Sequence, residues 1–196
     1  MGMGPVLAFA DPTLDLSGTL RLGWYLGTAE IDLATVMADI VLGVMAGSDC
    51  EHVFLQGGSG GGFAAIATAI HVPGSVAIAF NPQTDVRAYS ATFVKECLAA
   101  AFPVGTFVGD GPPSARLSLM TRMETFGHIP QIELITNSGD EFHLKGHAAP
   151  LIEYLAARDA DVLSVTEFDL GPGHRTPDNN AYYQIMRDIY AKHLTS

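Results

Sequence analysis

Short apolar runs alternate with longer amphipathic or alanine-rich runs along most of this chain. Four runs have the length and apolar character of buried β-strands: residues 52–56, 75–80, 131–136 and 162–168. Five others space their apolar residues as helices do, or are rich in alanine: residues 31–45, 63–70, 90–101, 148–157 and 180–194. Because strands alternate with helices, we predict an α/β fold, a mostly parallel sheet with helices on both faces.

Two other parts of the chain fit this alternation less simply. Residues 5–10 and 20–26 are further strand candidates. Residues 103–130 hold several glycines and prolines and a short helix candidate at 115–123, so they suit either a small cap over a pocket or an ordinary long connection. At 196 residues the chain is expected to form a single domain, 1–196.

The composition limits which binding partners and which cellular compartment are expected for this chain. The net charge of −11 argues against nucleic acid and anionic membranes as partners. No apolar stretch is long enough to span a bilayer. Cys50 and Cys97 are too few for a disulfide framework, and residues 1–10 lack the basic start of a signal peptide, so we expect a cytoplasmic protein.

The main candidate for chemistry is Gly57-Gly58-Ser59-Gly60-Gly61, which lies between a predicted strand and a predicted helix. A G-x-S-x-G sequence in that setting is typical of a nucleophile elbow, a strained turn that projects the serine hydroxyl above the sheet. Side chains at the flanking positions would collide with the neighbouring strand and helix, which accounts for the glycines. The N–H of Gly60, at the start of the helix, is then a candidate oxyanion donor.

Two other interpretations of the same glycines, a nucleotide-binding loop of either common type and a plain linker, are weaker. A phosphate-binding P-loop requires a Gly-Lys-Ser/Thr sequence, which does not follow. A dinucleotide site requires an acid at the end of the next strand, and Asn81 stands there, with Asp85 only beyond Pro82. A plain linker would not be flanked by two apolar, structured runs.

A serine nucleophile needs a general base, and His174 is the candidate. In the nucleophile-elbow fold the chain order is Ser, then Asp or Glu, then His, each on a loop at the carboxyl end of a strand. His174 follows the strand candidate 162–168 in a Gly-Pro-Gly loop before the last helix. The alternative is that His174 is an exposed loop residue without a catalytic role.

The acid that orients this base is predicted to be Asp140, just after the strand candidate 131–136. The alternative role for Asp140 is a helix cap or an Asx turn. Glu141 is the nearest substitute as the acid, followed by Asp110, and Asp169 is explained better by a turn.

Two further residues, His143 and Thr13, complete the candidate site. His143 lies close to the predicted acid and is a candidate for substrate contact; with His147 it has i, i+4 spacing, but no third metal ligand is evident and Lys145 lies between them, so we predict no metal. The second oxyanion donor would come from the loop after the first strand candidate. Pro12 has no N–H, so Thr13 is the candidate.

From residue 5 onward, the chain resembles the α/β-hydrolases, with Gly57–Gly61, Asp140 and His174 in the order of that family. The stretch 57–65 and Asn81-Pro82-Gln83-Thr84 are also similar to hydrolase-like domains of bacterial glycan- and capsule-associated proteins. The family usually has two more strands and a helix before residue 5. The chain is therefore expected to be a truncated or minimal version, or part of a longer protein.

The resemblance implies a cofactor-free serine hydrolase that cleaves an ester or thioester through an acyl-serine intermediate. Its expected partner is a small-molecule or glycan ester; the acyl group and the oligomeric state stay open. One alternative is an acyltransferase with the same triad, in which a sugar hydroxyl replaces water. The other is a non-catalytic domain that keeps the fold for binding.

Overall fold

The structure, a computed structural model, describes residues 6–104, 106 and 113–194. Its strands are β1 (Phe54–Gly58), β2 (Val76–Phe80), β3 (Gln131–Asn137) and β4 (Leu163–Phe168). Its α-helices are α1 (Leu33–Ala46), α2 (Gly60–Ala69), α3 (Ala91–Ala101), α4 (Ser114–Leu117), α5 (Leu119–Phe126), α6 (Glu141–His143), α7 (Ala149–Ala156) and α8 (Asn179–Leu194). A π-helical stretch, Leu144–Ala148, joins α6 to α7, and 3-10 turns lie at Pro12–Leu16 and Val86–Ala88.

The four strands form one parallel sheet in the order β1-β2-β3-β4. Gly58 pairs with Phe80 and Phe80 with Ile135, so the carboxyl ends of β1, β2 and β3 lie side by side. The predicted α/β class and parallel sheet are confirmed. Loops that leave these neighbouring ends share one edge of the sheet, which is where ligands bind in open α/β sheets.

Both faces of the sheet are covered by helices, as predicted. All five residues of β2 are buried, and they alternate between two clusters. On one face Ile78 packs with Ile185 and Met186 of α8. On the other, Ala77 packs in a cluster with Phe63 of α2, and its small side chain leaves room for that helix to approach the sheet closely.

The two strands predicted at 5–10 and 20–26 are wrong for the described residues: 6–10 adopt no regular structure, and 20–26 are irregular, with a turn at Trp24 and Tyr25. Trp24 and Tyr25 have φ of 51° and 55°, a left-handed conformation that ends a strand. The Asp11 carboxylate accepts the Tyr25 N–H at 2.9 Å and so holds this turn. Trp24 is buried there without belonging to the sheet.

Within residues 103–130, the described part forms α4 and α5. Buried arginines tie these helices to the segment before α1: Arg116 donates to the carbonyl oxygens of Thr28 and Ile31 at 2.6 Å, and Arg122 Nη2 lies 3.0 Å from Asp32 Oδ2. Whether this region acts as a cap stays a prediction. Across the described ranges, every helix is too short or too polar to cross a bilayer.

Candidate active site

Ser59 occupies a tight turn between β1 and α2. Its φ of 54° and ψ of −120° lie in a region that costs a non-glycine residue about 1–3 kcal/mol. The turn is held from both sides, since the Ser59 N–H donates to Phe80 O at 2.9 Å and the Phe63 N–H donates to Ser59 O at 3.1 Å. Such strain is typical of a site whose geometry matters more than its stability.

Space is tight at three of the glycines around Ser59, and at Gly57 and Gly62 the obstructing atoms belong to the backbone or to a proline ring. A Cβ on Gly60 would lie 2.7 Å from Leu22 Cδ1, and one on Gly62 would lie 2.9 Å from Pro82 Cβ. A Cβ on Gly57 would collide with the Gly61 carbonyl. At Gly61 nothing lies within 4 Å, so the collision expected at both flanks of the motif applies to Gly57 and not to Gly61.

Asp140 contacts the predicted base directly. Its Oδ2 lies 2.8 Å from His174 Nδ1, and its Oδ1 accepts the backbone N–H of His143 at 3.2 Å. The two interpretations of Asp140 from sequence therefore coexist, one on each oxygen. Asp140 is 3% exposed, whereas the His174 side chain is 39% exposed, so the acid is enclosed and the histidine faces solvent.

The loop that carries His174 is fastened to the end of β3. Asn137 Nδ2 donates to Gly171 O at 2.9 Å and to Gly173 O at 2.8 Å, the residue before the histidine. Gly139 lies so close that a Cβ there would collide with the Gly171 carbonyl. Asn81, at the end of β2, accepts the Asn137 N–H at 2.8 Å and so extends this network toward Ser59.

His143 is a second imidazole at the same carboxylate. Its Nδ1 lies 2.8 Å from Asp140 Oδ2, off the line of a well-aligned hydrogen bond, and its ring stacks on that of His174 with centroids 4.1 Å apart. Burial lowers the pKa of His143, and the neighbouring His174 lowers it further. Burial opposes ionisation of Asp140, but hydrogen bonds from His143 and His174 outweigh it and lower the pKa of the carboxyl.

Gln83 is the residue at this site that sequence analysis missed. It is fully buried, and its Nε2 lies 2.9 Å from Ser59 Oγ and 2.8 Å from His143 Nε2. The Trp24 indole N–H donates to its Oε1 at 3.2 Å. The available signal was its place in Asn81-Pro82-Gln83-Thr84, just after β2, the strand that neighbours β1 in the sheet.

The structure does not support the prediction that Thr13 is an oxyanion donor, and this prediction is corrected. Its N–H donates at 3.0 Å to Asp11 Oδ1, the side chain that caps a 3-10 turn, so this hydrogen is already used. The substitutes for Asp140 are also engaged elsewhere: Glu141 pairs with Lys145 at 2.8 Å, and Asp169 accepts the Gly171 N–H at 3.0 Å. Asp110 lies outside the described residues.

His143 and His147, which have i, i+4 spacing, do not occur together in a group of potential metal ligands among the described residues. His147 is fully buried, and its Nδ1 accepts the Thr84 N–H at 3.2 Å. Among the described residues, Asp140, His143 and His174 are the group whose ligand atoms lie close enough for a metal ion, within 4.8 Å of one another. Both Nδ1 atoms lie only 2.8 Å from Oδ2, closer than the about 3.3 Å that separates donors around a tetrahedral zinc.

Comparisons with known proteins show similarity at the level of the fold. No protein-family model and no curated protein matches the chain significantly. Among solved structures it is similar to the capsule O-acetyltransferase of Neisseria meningitidis serogroup A, with a TM-score of 0.56 and 16% identity over 85% of this chain and 68% of that one. A histidine-to-alanine mutant of that enzyme in complex with CoA gives a TM-score of 0.59 and 17% identity over the same shares. The two chains therefore share a fold.

Proposed function

We propose that this chain performs acyl chemistry through Ser59, with His174 as the general base and Asp140 as the acid that orients it. The observation that carries the proposal is the 2.8 Å contact between Asp140 Oδ2 and His174 Nδ1, at the sheet edge where Ser59 occupies its strained turn. An ionised carboxylate next to Nδ1 keeps the proton on that nitrogen and leaves Nε2 as the basic atom.

The reaction takes place in two halves. His174 Nε2 takes the Ser59 proton while Oγ attacks the carbonyl carbon, and the negative charge moves to the carbonyl oxygen. The Gly60 N–H, in the first turn of α2, donates to that oxygen. When the bond to the alcohol or thiol breaks, His174 returns the proton to the leaving group. Water or a hydroxyl then attacks the acyl-serine by the reverse sequence.

Hydrolysis of an ester or thioester is the first candidate. The His174 side chain is 39% exposed, so water has access to the base. Acyl transfer to a hydroxyl is the second candidate, and it is favoured by the fold shared with an O-acetyltransferase that has been captured with CoA. In that case a CoA thioester is the donor, and the acceptor hydroxyl takes the place of water.

Labelling with a fluorophosphonate probe, read by peptide mass spectrometry, tests the assignment of Ser59. We expect modification of Ser59 in the wild type and its loss in His174→Ala. Ser138→Ala is the matched control, because Ser138 directly follows β3 and its hydroxyl donates to Phe168 O at 3.2 Å; it should label like the wild type. No labelling of a protein that unfolds cooperatively would overturn the proposal and favour the binding-domain alternative.

Hydrolysis and transfer are separated by a turnover assay. Acetyl-CoA and p-nitrophenyl acetate are offered with and without an oligosaccharide that carries free hydroxyls. If the hydroxyl accelerates release of CoA and becomes acetylated, the enzyme is a transferase. If the rate is unchanged and acetate is the product, it is a hydrolase.

A further inference from the structure

The Gln83 side chain is a buried amide with a fixed orientation. An indole N–H only donates hydrogen bonds, so the Gln83 atom 3.2 Å from Trp24 Nε1 is the amide oxygen. The NH₂ group therefore faces Ser59 Oγ and His143 Nε2, at 2.9 and 2.8 Å. In a flipped amide the NH₂ would face the indole N–H, and two buried donors would then lack an acceptor, which is energetically costly.

This orientation also fixes the protons of the neighbours. His143 Nε2 must accept from Gln83, so the proton of His143 sits on Nδ1, next to the Asp140 carboxylate. Ser59 Oγ accepts from the second N–H of Gln83, so its own proton remains free for the base. One hydrogen of the Gln83 amide is thus held at the nucleophile before any substrate arrives.

We propose that Gln83 Nε2 is the second oxyanion donor of this site, alongside the Gly60 N–H. This inference rests on the proposed acyl-serine chemistry. The oxyanion forms one carbon away from Ser59 Oγ, the atom that Gln83 already contacts. Gln83 also borders Gly60, because a Cβ built on that glycine would lie 3.7 Å from Gln83 Oε1. Thr13, the donor expected from sequence, already donates its N–H to Asp11.

The hydrogen bond strengthens as the reaction proceeds. In the resting enzyme Gln83 donates to a neutral hydroxyl. In the tetrahedral intermediate Oγ is bonded to carbon and is a poorer acceptor, while the adjacent oxygen carries a full charge, so the N–H turns toward the oxyanion. No proton leaves Gln83, since the Ser59 proton goes to His174. Asn and Gln side chains are suited to this role, and losing one such donor costs about 10²–10³-fold in kcat.

The test compares Gln83→Met with the wild type on an activated ester. Methionine matches the length of glutamine but has no N–H, so we expect kcat to fall about 10²-fold or more while KM changes by only a few-fold. Gln83→Asn keeps the amide but withdraws it from Ser59 by one methylene. It replaces Gln83→Met in the same test if Gln83→Met does not fold. Trp24→Phe is the structural control, because it removes the indole contact but keeps the Gln83 amide; we expect it to lower kcat by much less than Gln83→Met does.

A second readout separates an oxyanion donor from a purely structural residue. Replacing the carbonyl oxygen of the ester by sulfur weakens hydrogen bonds to the developing charge. The wild type should therefore prefer the oxygen ester strongly, and Gln83→Met should lose much of that preference. An unchanged preference, or a kcat within about 3-fold of wild type, would overturn the role of Gln83 while Ser59 still labels. If Ser59 of the folded wild type does not label, both proposals fail.

Discussion

His147 makes the stability of this protein depend on pH. The pKa of its imidazole is lowered from 6.5 to about 4, mainly by burial and to a smaller extent by the nearby His143. The geometry gives the reason: Nδ1 accepts the Thr84 N–H at 3.2 Å, so a proton there would set two donors against each other. The unfolded chain takes up a proton near pH 6.5, whereas the folded protein resists it. Stability is therefore lost as the pH falls from about 6.5 toward 4.

The magnitude follows from those two pKa values. A site that titrates at 6.5 in the unfolded chain and at about 4 in the folded protein lowers the free energy of unfolding by about 2 kcal/mol between pH 7 and pH 5. By pH 4 the loss is close to its full value of about 3 kcal/mol. His71 and His143 act in the same direction, since burial lowers the pKa of each. The lowered pKa values of Glu133 and Asp140 matter mainly below about pH 5, where unfolded carboxylates begin to protonate.

Urea unfolding at pH 7 and pH 5 measures this effect. In His147→Asn the amide oxygen can still accept the Thr84 N–H, but it does not titrate. We expect the loss of unfolding free energy between the two pH values to be about 2 kcal/mol smaller than in the wild type. His52→Asn, at an exposed position, controls for removing a histidine. Equal losses in the wild type and His147→Asn would refute the assignment.

Three further predictions concern the acid, the turn and the core. Asp140→Asn should lower kcat on an activated ester by about 10³–10⁴-fold, because an amide N–H facing His174 Nδ1 moves the imidazole proton to Nε2; a loss under about 10-fold would contradict this. Gly62→Ala should destabilise the protein in urea by more than about 1 kcal/mol, whereas Gly61→Ala, with open space around it, should stabilise it by up to about 1 kcal/mol; the opposite order would be decisive against the steric account. Ile78→Ala, at a fully buried position in β2, should cost about 2–5 kcal/mol in the same assay, and a cost below about 1 kcal/mol would rule out tight packing there.

Much of the architecture was predictable because each strand of the sheet is a short apolar run. The juxtaposition of Asp140 and His174 was also predictable, since parallel strands bring their carboxyl ends to one edge. The early strands could not be predicted correctly. The apolar run around Trp24 is buried in a turn with left-handed residues, and a buried turn and a buried strand can share the same local apolar pattern. Gln83 was missed because no short motif marks an amide whose partners are 24 and 60 residues away.

Four strands suffice to fix this site, because its precision comes from hydrogen bonds across their ends. β1 has no strand on its outer side among the described residues, yet the Ser59 N–H is held by Phe80 O at the end of β2. From there Asn81 accepts the Asn137 N–H, and Asn137 holds the carbonyl before His174. These amide side chains can hold the loops because they are buried and each uses both its oxygen and its nitrogen in hydrogen bonds. The geometry of the site therefore depends on β1 to β4 and their loops, and the Trp24 turn contributes through Gln83.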